Sequence, residues 1–195
     1  MIQLTTEEKQ FINTKLKPLL KKDNWEKIRE ECRSQKNILA FFAENGLDVF
    51  SGLTKITKNI LSDTDLSKVI IPKEIKVIGE YAFVDCRNLT SITFENGVEE
   101  IESDAFWRCV NLVQVDLPES LIKLNSEVFR DCSKLKRVTI PDSITNLPDK
   151  LFDGCPNDIE IYAHSRKDLP KNQKLRCPKE EVDWYVEHLK VLQAE

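Results

Sequence analysis

At 195 residues with 41% apolar content, the chain can build one packed domain with small appendages. Its net charge of −4 is spread along the sequence and offers no basic footprint for nucleic acid, and no run of about 18 apolar residues is present to cross a bilayer. Met1 to Lys9 is polar and acidic where a secretory leader is basic and then apolar, so residence in the cytoplasm is expected. From the N-terminus, residues 1–50 read as a helical cap or a small helical domain. Thr5-Thr6-Glu7-Glu8 and Asp23-Asn24-Trp25-Glu26 have the form of capping boxes, in which side chains satisfy orphan helix donors. They predict helices from about Thr6 to Lys21 and from about Asn24 to Cys32. The first carries Phe11, Leu16, Leu19 and Leu20 on one face, with a kink expected at Pro18. A third helix is predicted after Ser34, bearing Ile38, Leu39, Phe41 and Phe42 and stopping at Gly46, a natural helix terminator. Residues 51–65 look like a degenerate first coil of a repeat array, with Ile60 in the position that Phe holds in the later coils.

Between Leu66 and Asn157 the sequence repeats. Four segments align without a gap: LSKVIIPKEIKVIGEYAFVDCRN (66–88), LTSITFENGVEEIESDAFWRCVN (89–111), LVQVDLPESLIKLNSEVFRDCSK (112–134) and LKRVTIPDSITNLPDKLFDGCPN (135–157). Val69/Ile71, Ile92/Phe94, Val115/Leu117 and Val138/Ile140 alternate in–out–in, the signature of a strand with one buried face. Pro72, Pro118 and Pro141 then stop the strand, and Glu95 breaks that column. Ile75/Ile78, Val98/Ile101, Leu121/Leu124 and Ile144/Leu147 stand three apart, which suits a short turn or one-turn helix on the convex side. Phe83, Phe106, Phe129 and Phe152 come next, each with a Cys three residues later. One such unit cannot bury its apolar side alone; stacked units merge their columns into a common core. After the last unit, residues 158–195 supply a C-terminal cap: Ile161 and Ala163 take the strand column a fifth time, and His164 stands where Pro would be. Val182, Tyr185/Val186, Leu189 and Leu192 predict a helix over Pro178–Leu192.

The pattern L-x-x-[IV]-x-[ILF]-P…[IV]-x-x-[IL]-x-x-x-[AVL]-F-x-x-C resembles the BspA-like (Treponema-type) bacterial leucine-rich repeat. The resemblance implies an α/β repeat fold, a right-handed leucine-rich-repeat solenoid with one parallel β-sheet face, and a strand and helix as C-terminal cap. It implies no activity: such repeats occur in surface adhesins and in many uncharacterised proteins, some from phage and mobile elements.

The residues that could carry chemistry mostly have structural explanations. Cys86, Cys109, Cys132 and Cys155 spread along the solenoid axis rather than converging on one point, as four zinc ligands must. Small buried thiols are the expected role, with a disulfide between stacked coils the main competitor. His164 and His188 lie in no recognisable motif with Cys155 or Cys177, so no catalytic, cofactor or metal residue is assigned. Glu95, Glu99, Glu100, Glu102 and Asp104 read as a solvated acidic rim able to steer a basic partner. The outward strand columns differ from coil to coil. Ile70, Thr93, Asp116, Thr139 and Tyr162 form one, and Lys68, Ser91, Gln114, Arg137 and Glu160 its neighbour. Trp107 is expected at or near the surface. The partner-binding candidates are therefore Arg137, Tyr162, Ile70, Thr93, Asp116, Thr139 and Trp107, because Trp, Tyr and Arg dominate interface energetics. The expected function is a non-enzymatic module that binds another protein, not nucleic acid or membrane. Self-association through the helical region, or docking on a host enzyme as a mobile-element inhibitor, are the rival readings.

Overall fold

The computed structural model of the protein describes residues 2–20, 25–32, 36–45, 49–145, 147–163 and 175–176. The N-terminal segment is helical where the capping signals place it. Thr5 caps α1 (Thr6–Phe11) reciprocally: its hydroxyl accepts from the Glu8 N–H at 3.1 Å, and the Glu8 carboxylate accepts from the Thr5 N–H at 2.8 Å. Ahead of Pro18, where a kink was expected, a π-helical turn, Ile12–Leu16, joins α1 to α2 (Lys17–Leu20). A π turn shifts the bonding register by one residue, which absorbs the donor that Pro lacks. Two further helices come after it, α3 (Trp25–Glu31) and α4 (Lys36–Glu44), the latter burying Ile38, Leu39, Ala40 and Phe42. The capping box at Asp23-Asn24, the stop at Gly46, His164, and the helix expected over Pro178–Leu192 with His188 lie outside the described residues.

Each repeat begins with a short strand. These are β2 (Lys68–Ile71), β4 (Ser91–Phe94), β6 (Gln114–Asp116), β8 (Arg137–Ile140) and β9 (Glu160–Ala163). They pair in parallel with a 23-residue offset, as in Val69↔Ile92 and Val138↔Ile161. The ladder is interrupted between β4 and β6, which lie adjacent without strand pairing. At the other end, β10 (Leu175–Arg176) pairs antiparallel with β9, and so covers the edge of the sheet.

The second half of the first three units departs from expectation. The turn or one-turn helix is replaced by two-residue strands, β3 (Val77–Ile78), β5 (Glu100–Ile101) and β7 (Lys123–Leu124). With β1 (Lys55–Ile56) they form a second, continuous parallel ladder. One residue of each pair is buried and the other faces out, so three-residue spacing of apolar side chains mimicked a helix. The first coil is also one residue shorter, with Ile56 pairing to Ile78. Leu61 therefore holds the Phe position, donating its N–H to the Ala82 carbonyl as Phe83 donates to Ala105; Ile60, expected there, sits half-buried beside it.

A third set of inter-coil bonds depends on backbone that the sequence does not advertise. Tyr81, Asp104, Glu127 and Lys150 adopt positive φ of 55–60°, and Asp85, Arg108 and Asp131 repeat the conformation four residues later in each coil. Such left-handed residues cost on the order of 1 kcal/mol each when they carry a Cβ. In return the bend aims N–H groups along the solenoid axis, as in Asp85 to Trp107 O and Arg108 to Arg130 O, both 2.9 Å. Glycine is required elsewhere, where coils touch: a Cβ on Gly97 would lie 2.0 Å from the Lys73 carbonyl oxygen.

The core is a set of ladders. Phe83, Phe106, Phe129 and Phe152 stack nearly parallel, with centroids 5.2, 5.8 and 6.0 Å apart. Beside them, each thiol donates to a carbonyl of the preceding coil: Cys86 to Leu61, Cys109 to Phe83, Cys132 to Phe106 and Cys155 to Phe129, at 2.9–3.2 Å. Thr64 takes the Cys position of the short coil. Cys32, Cys86, Cys109, Cys132 and Cys155 are all buried and form no disulfide. Burial pushes the Cys86 thiol up to about 11 and raises Cys109 and Cys132 well above the ordinary value. Thiol labelling of the native protein is therefore expected to be slow at the four ladder positions. It should reach six per chain in denaturant without reductant, since six cysteines are present. A lower count would reveal a disulfide.

Candidate interaction face

Alternation along β2, β4, β6, β8 and β9 sends Lys68/Ile70, Ser91/Thr93, Gln114/Asp116, Arg137/Thr139 and Glu160/Tyr162 to the outer side of the strands. Ile70 is 63% exposed, and Thr93, Asp116 and Arg137 are exposed. Tyr162 is half-buried. Thr139, expected to be available, is only 7% exposed: it pairs with Asp116 on one side and Tyr162 on the other, and its hydroxyl donates to the Asp116 carboxylate. It organises its neighbours instead of offering surface.

The C-terminal half of the face is tightly built. Arg137 stands opposite Glu160 in register but reaches diagonally, laying its guanidinium 4.4 Å from the centre of the Tyr162 ring. The Tyr162 hydroxyl donates to Glu160 Oε2 at 2.8 Å. Gln114 Nε2 contacts Asp116 Oδ2 at 3.3 Å. Sequence reasoning selected Arg137 and Tyr162 separately; that they form one unit, closed by Glu160, comes from the strand register.

Trp107 belongs elsewhere. It is half-buried on the side of the Phe and Cys turns, where its indole N–H donates to Asp131 Oδ2 at 3.0 Å. Tyr81 packs against it at 6.2 Å, and Arg130 and Arg108 lie 5.3 and 5.7 Å from its ring. These side chains cover the coils and occupy the indole's contacts. The acidic rim expected in the second repeat is likewise committed. Glu99 pairs with Lys76 at 2.9 Å, Glu100 with Lys123 at 2.7 Å, and Glu102 with Lys55; Glu95 accepts from the Lys73 N–H at 3.1 Å. The Lys123 ammonium holds the Glu100 carboxyl below its usual range, as Lys55 does for Glu102. Asp104 is buried, and desolvation, with Glu127 nearby, raises its carboxyl. Glu99, Glu100 and Glu102 thus tie coil to coil through lysines of other coils.

A cavity of about 620 Å³ opens between the N-terminal helices and the first coil, lined by Arg29, Lys36, Leu39, Lys58 and Ile60 among others. Its cations are engaged by the protein: Arg29 Nη1 bonds the Val49 and Ser51 carbonyls at 3.0 and 3.2 Å, and Lys36 bonds Ser62. Among the described residues, no three His, Cys, Asp or Glu side chains gather to hold a metal, and no helix is long and apolar enough to cross a membrane.

The family model for the BspA type leucine rich repeat region matches residues 54–172 as six copies, well over half of the sequence. The chain belongs to the BspA-type leucine-rich-repeat family. That match includes the short coil before Leu66 and extends past Asn157 through β9. Among solved structures, this BspA-type chain is similar to a leucine rich cell surface protein from Faecalibacterium prausnitzii, with 25% identity and a TM-score of 0.55. The alignment covers 64% of this chain and 34% of the other, so the chain spans about a third of that protein's length. A leucine-rich-repeat protein of T. pallidum is 26% identical over 71% of this chain and 78% of its own, at a TM-score of 0.48. The pneumococcal vaccine antigen PcpA is 29% identical over 51% of this chain and 25% of its own, at 0.47. No curated protein matches the chain. Leucine-rich-repeat proteins in general are protein-interaction modules, and their solenoids are typically non-enzymatic scaffolds.

Proposed function

We propose that this solenoid is a non-enzymatic binding module that engages another protein through its strand face, centred on Arg137 and Tyr162. The observation that carries the reading is the preorganised Arg137–Tyr162–Glu160 unit on an outward surface. Aromatic and Arg side chains held rigid before binding lose little entropy on complex formation, which is how anchor residues gain affinity. Ile70 adds an exposed apolar position at the opposite end of the same face. The buried, protonated cysteines and the lysine-paired carboxylates leave little among the described residues for nucleophilic or acid–base work. A cytoplasmic setting is part of the proposal, supported by the reduced thiol column, which suits a reducing compartment.

Affinity purification with mass spectrometry names the partner, and calorimetry on variants locates its site. Arg137→Ala and Tyr162→Ala are each expected to weaken binding by at least about 1 kcal/mol, with little change in melting temperature. If both variants hold the partner as tightly as the parent, the strand face is not the site.

A further inference from the structure

The tripeptide Glu-Asn-Gly occurs twice in the chain, as Glu44-Asn45-Gly46 and as Glu95-Asn96-Gly97. An asparagine followed by glycine is prone to lose its side-chain amide, because glycine has no Cβ to obstruct attack by its own backbone nitrogen. With the local sequence held constant, the fold decides which copy reacts. We infer that Asn96–Gly97 is a site of spontaneous modification in the folded protein, converting to aspartate and isoaspartate, and that Asn45–Gly46 is its protected counterpart.

The reaction needs only water. Gly97 N forms a bond to Asn96 Cγ and gives its proton to solvent. The Cγ–Nδ2 bond breaks, Nδ2 takes up a proton and leaves as ammonia, and a five-membered imide remains. Water then opens the imide: attack at Cγ gives aspartate, and attack at the backbone carbonyl carbon gives isoaspartate.

The fold prepares Asn96 for the first step. Asn96 is exposed in the turn after β4, and its Oδ1 accepts the Ser120 N–H of the next repeat at 2.9 Å. A backbone donor on that oxygen stabilises the negative charge that develops there as Cγ becomes tetrahedral. Asn96 Nδ2 makes no hydrogen bond among the described residues, so the leaving amide is not held. Gly97 is buried, and its N–H likewise has no partner among the described residues. A buried N–H without a partner is rare because it is costly, and ring closure removes it.

Asn45 is arranged the opposite way. Its Nδ2 donates to the Phe41 carbonyl at 2.8 Å, four residues back along α4, which turns the amide away from the residue that follows. The leaving nitrogen is engaged, and Oδ1 receives no donor among the described residues.

The two products differ in what they do to the solenoid. Aspartate keeps the backbone and an oxygen for the Ser120 N–H. Isoaspartate adds an atom to the main chain beside Gly97, whose Cα packs against the Lys73 backbone with no room even for a Cβ. Isoaspartate therefore loosens the contact between the first two full repeats.

The test incubates the full-length protein in mildly alkaline buffer, with and without urea, and follows both peptides by mass spectrometry after digestion. In urea the two asparagines should deamidate at closely similar rates. In the native protein Asn96 should convert about tenfold faster than Asn45, the factor set by one hydrogen bond that must break at Asn45 and need not at Asn96. Equal native rates, or a faster Asn45, overturn the inference. So does an Asn96 that stays intact in the native protein while urea converts it. The isoaspartate fraction, separated by ion exchange, should melt below the parent, whereas Asn96→Asp should melt with it. An isoaspartate fraction as stable as the parent overturns the role given to the Gly97 contact.

Discussion

Phe106→Ala is expected to lower the free energy of unfolding by about 3–5 kcal/mol, the range for truncating a buried aromatic side chain. The ring is fully buried and has a stacked neighbour on each side, Phe83 at 5.2 Å and Phe129 at 5.8 Å. Its loss removes apolar burial and two ring contacts, and it opens a cavity whose walls have little freedom to close. Three features restrain those walls. The Phe106 N–H bonds Val128 O at 3.0 Å, its carbonyl accepts the Cys132 thiol at 3.2 Å, and the flanking residues Asp104 and Arg108 are held in the left-handed region. In a solenoid, stability is approximately a sum of repeat terms and nearest-neighbour terms, so damage in the middle also weakens coupling between the two ends. Phe152 stacks on one described ring only and is 7% exposed, so Phe152→Ala should cost less than Phe106→Ala. Urea unfolding followed by circular dichroism measures both. A loss below about 1 kcal/mol for Phe106→Ala would mean that the ring does not bear on the core as described.

The features legible in the sequence are those in which one residue type answers one environment. Leu66, Leu89, Leu112 and Leu135 recur because every coil needs the same apolar wedge, and all four are fully buried. The Phe and Cys columns repeat for the same reason, and the 23-residue offset sets the strand register outright. Features were lost where local chemistry does not select a residue type. The two-residue strands β1, β3, β5 and β7 are too short for alternation to show, and their outward members are as different as Val77 and Lys123. The positive-φ bends fall on Tyr81, Asp104, Glu127 and Lys150, where inter-coil hydrogen bonds force a conformation that glycine would ordinarily mark. A one-residue deletion moved Leu61 into the place expected for Ile60. On the candidate face, columns gave direction but not lateral company. Nothing in the pattern distinguished Thr139, enclosed by Asp116 and Tyr162, from the exposed Thr93. The lysine partners of the acidic rim were hidden for a related reason: Lys55, Lys76 and Lys123 come from other coils, and only stacking brings them to Glu102, Glu99 and Glu100.

Removing residues 1–50 is expected to leave a chain that aggregates and unfolds without a cooperative transition. The helices are joined to the repeats by packing as well as by sequence. Leu16, Ile28, Ile38, Leu39, Phe42 and Phe50 belong to the same continuous core as Ile56, Leu66 and Val69. Each such side chain contributes roughly 1.5–3 kcal/mol when fully buried, and truncation strips the covering from every repeat residue it touches. Polar contacts set the docking geometry. Glu44, at the end of α4, accepts both the N–H and the hydroxyl of Ser67 and the N–H of Ile2. Burial works against its charge, yet these bonds prevail and hold its carboxyl below the usual range. Arg29 clasps the carbonyls of Val49 and Ser51, and the Asn37 side chain accepts from the Asp65 N–H at 3.3 Å. Open ends of solenoids need a polar covering to stay soluble, and the sheet's other end has β10 over β9. Without the helices, Leu66 and Ile56 would face water beside the unprotected edge of β2, an invitation to strand pairing between molecules. Size-exclusion chromatography with light scattering and thermal melting of the 51–195 fragment decide the matter. A monomeric fragment that melts cooperatively would show that the repeats stand alone, and would shift the search for a binding site toward the helical region.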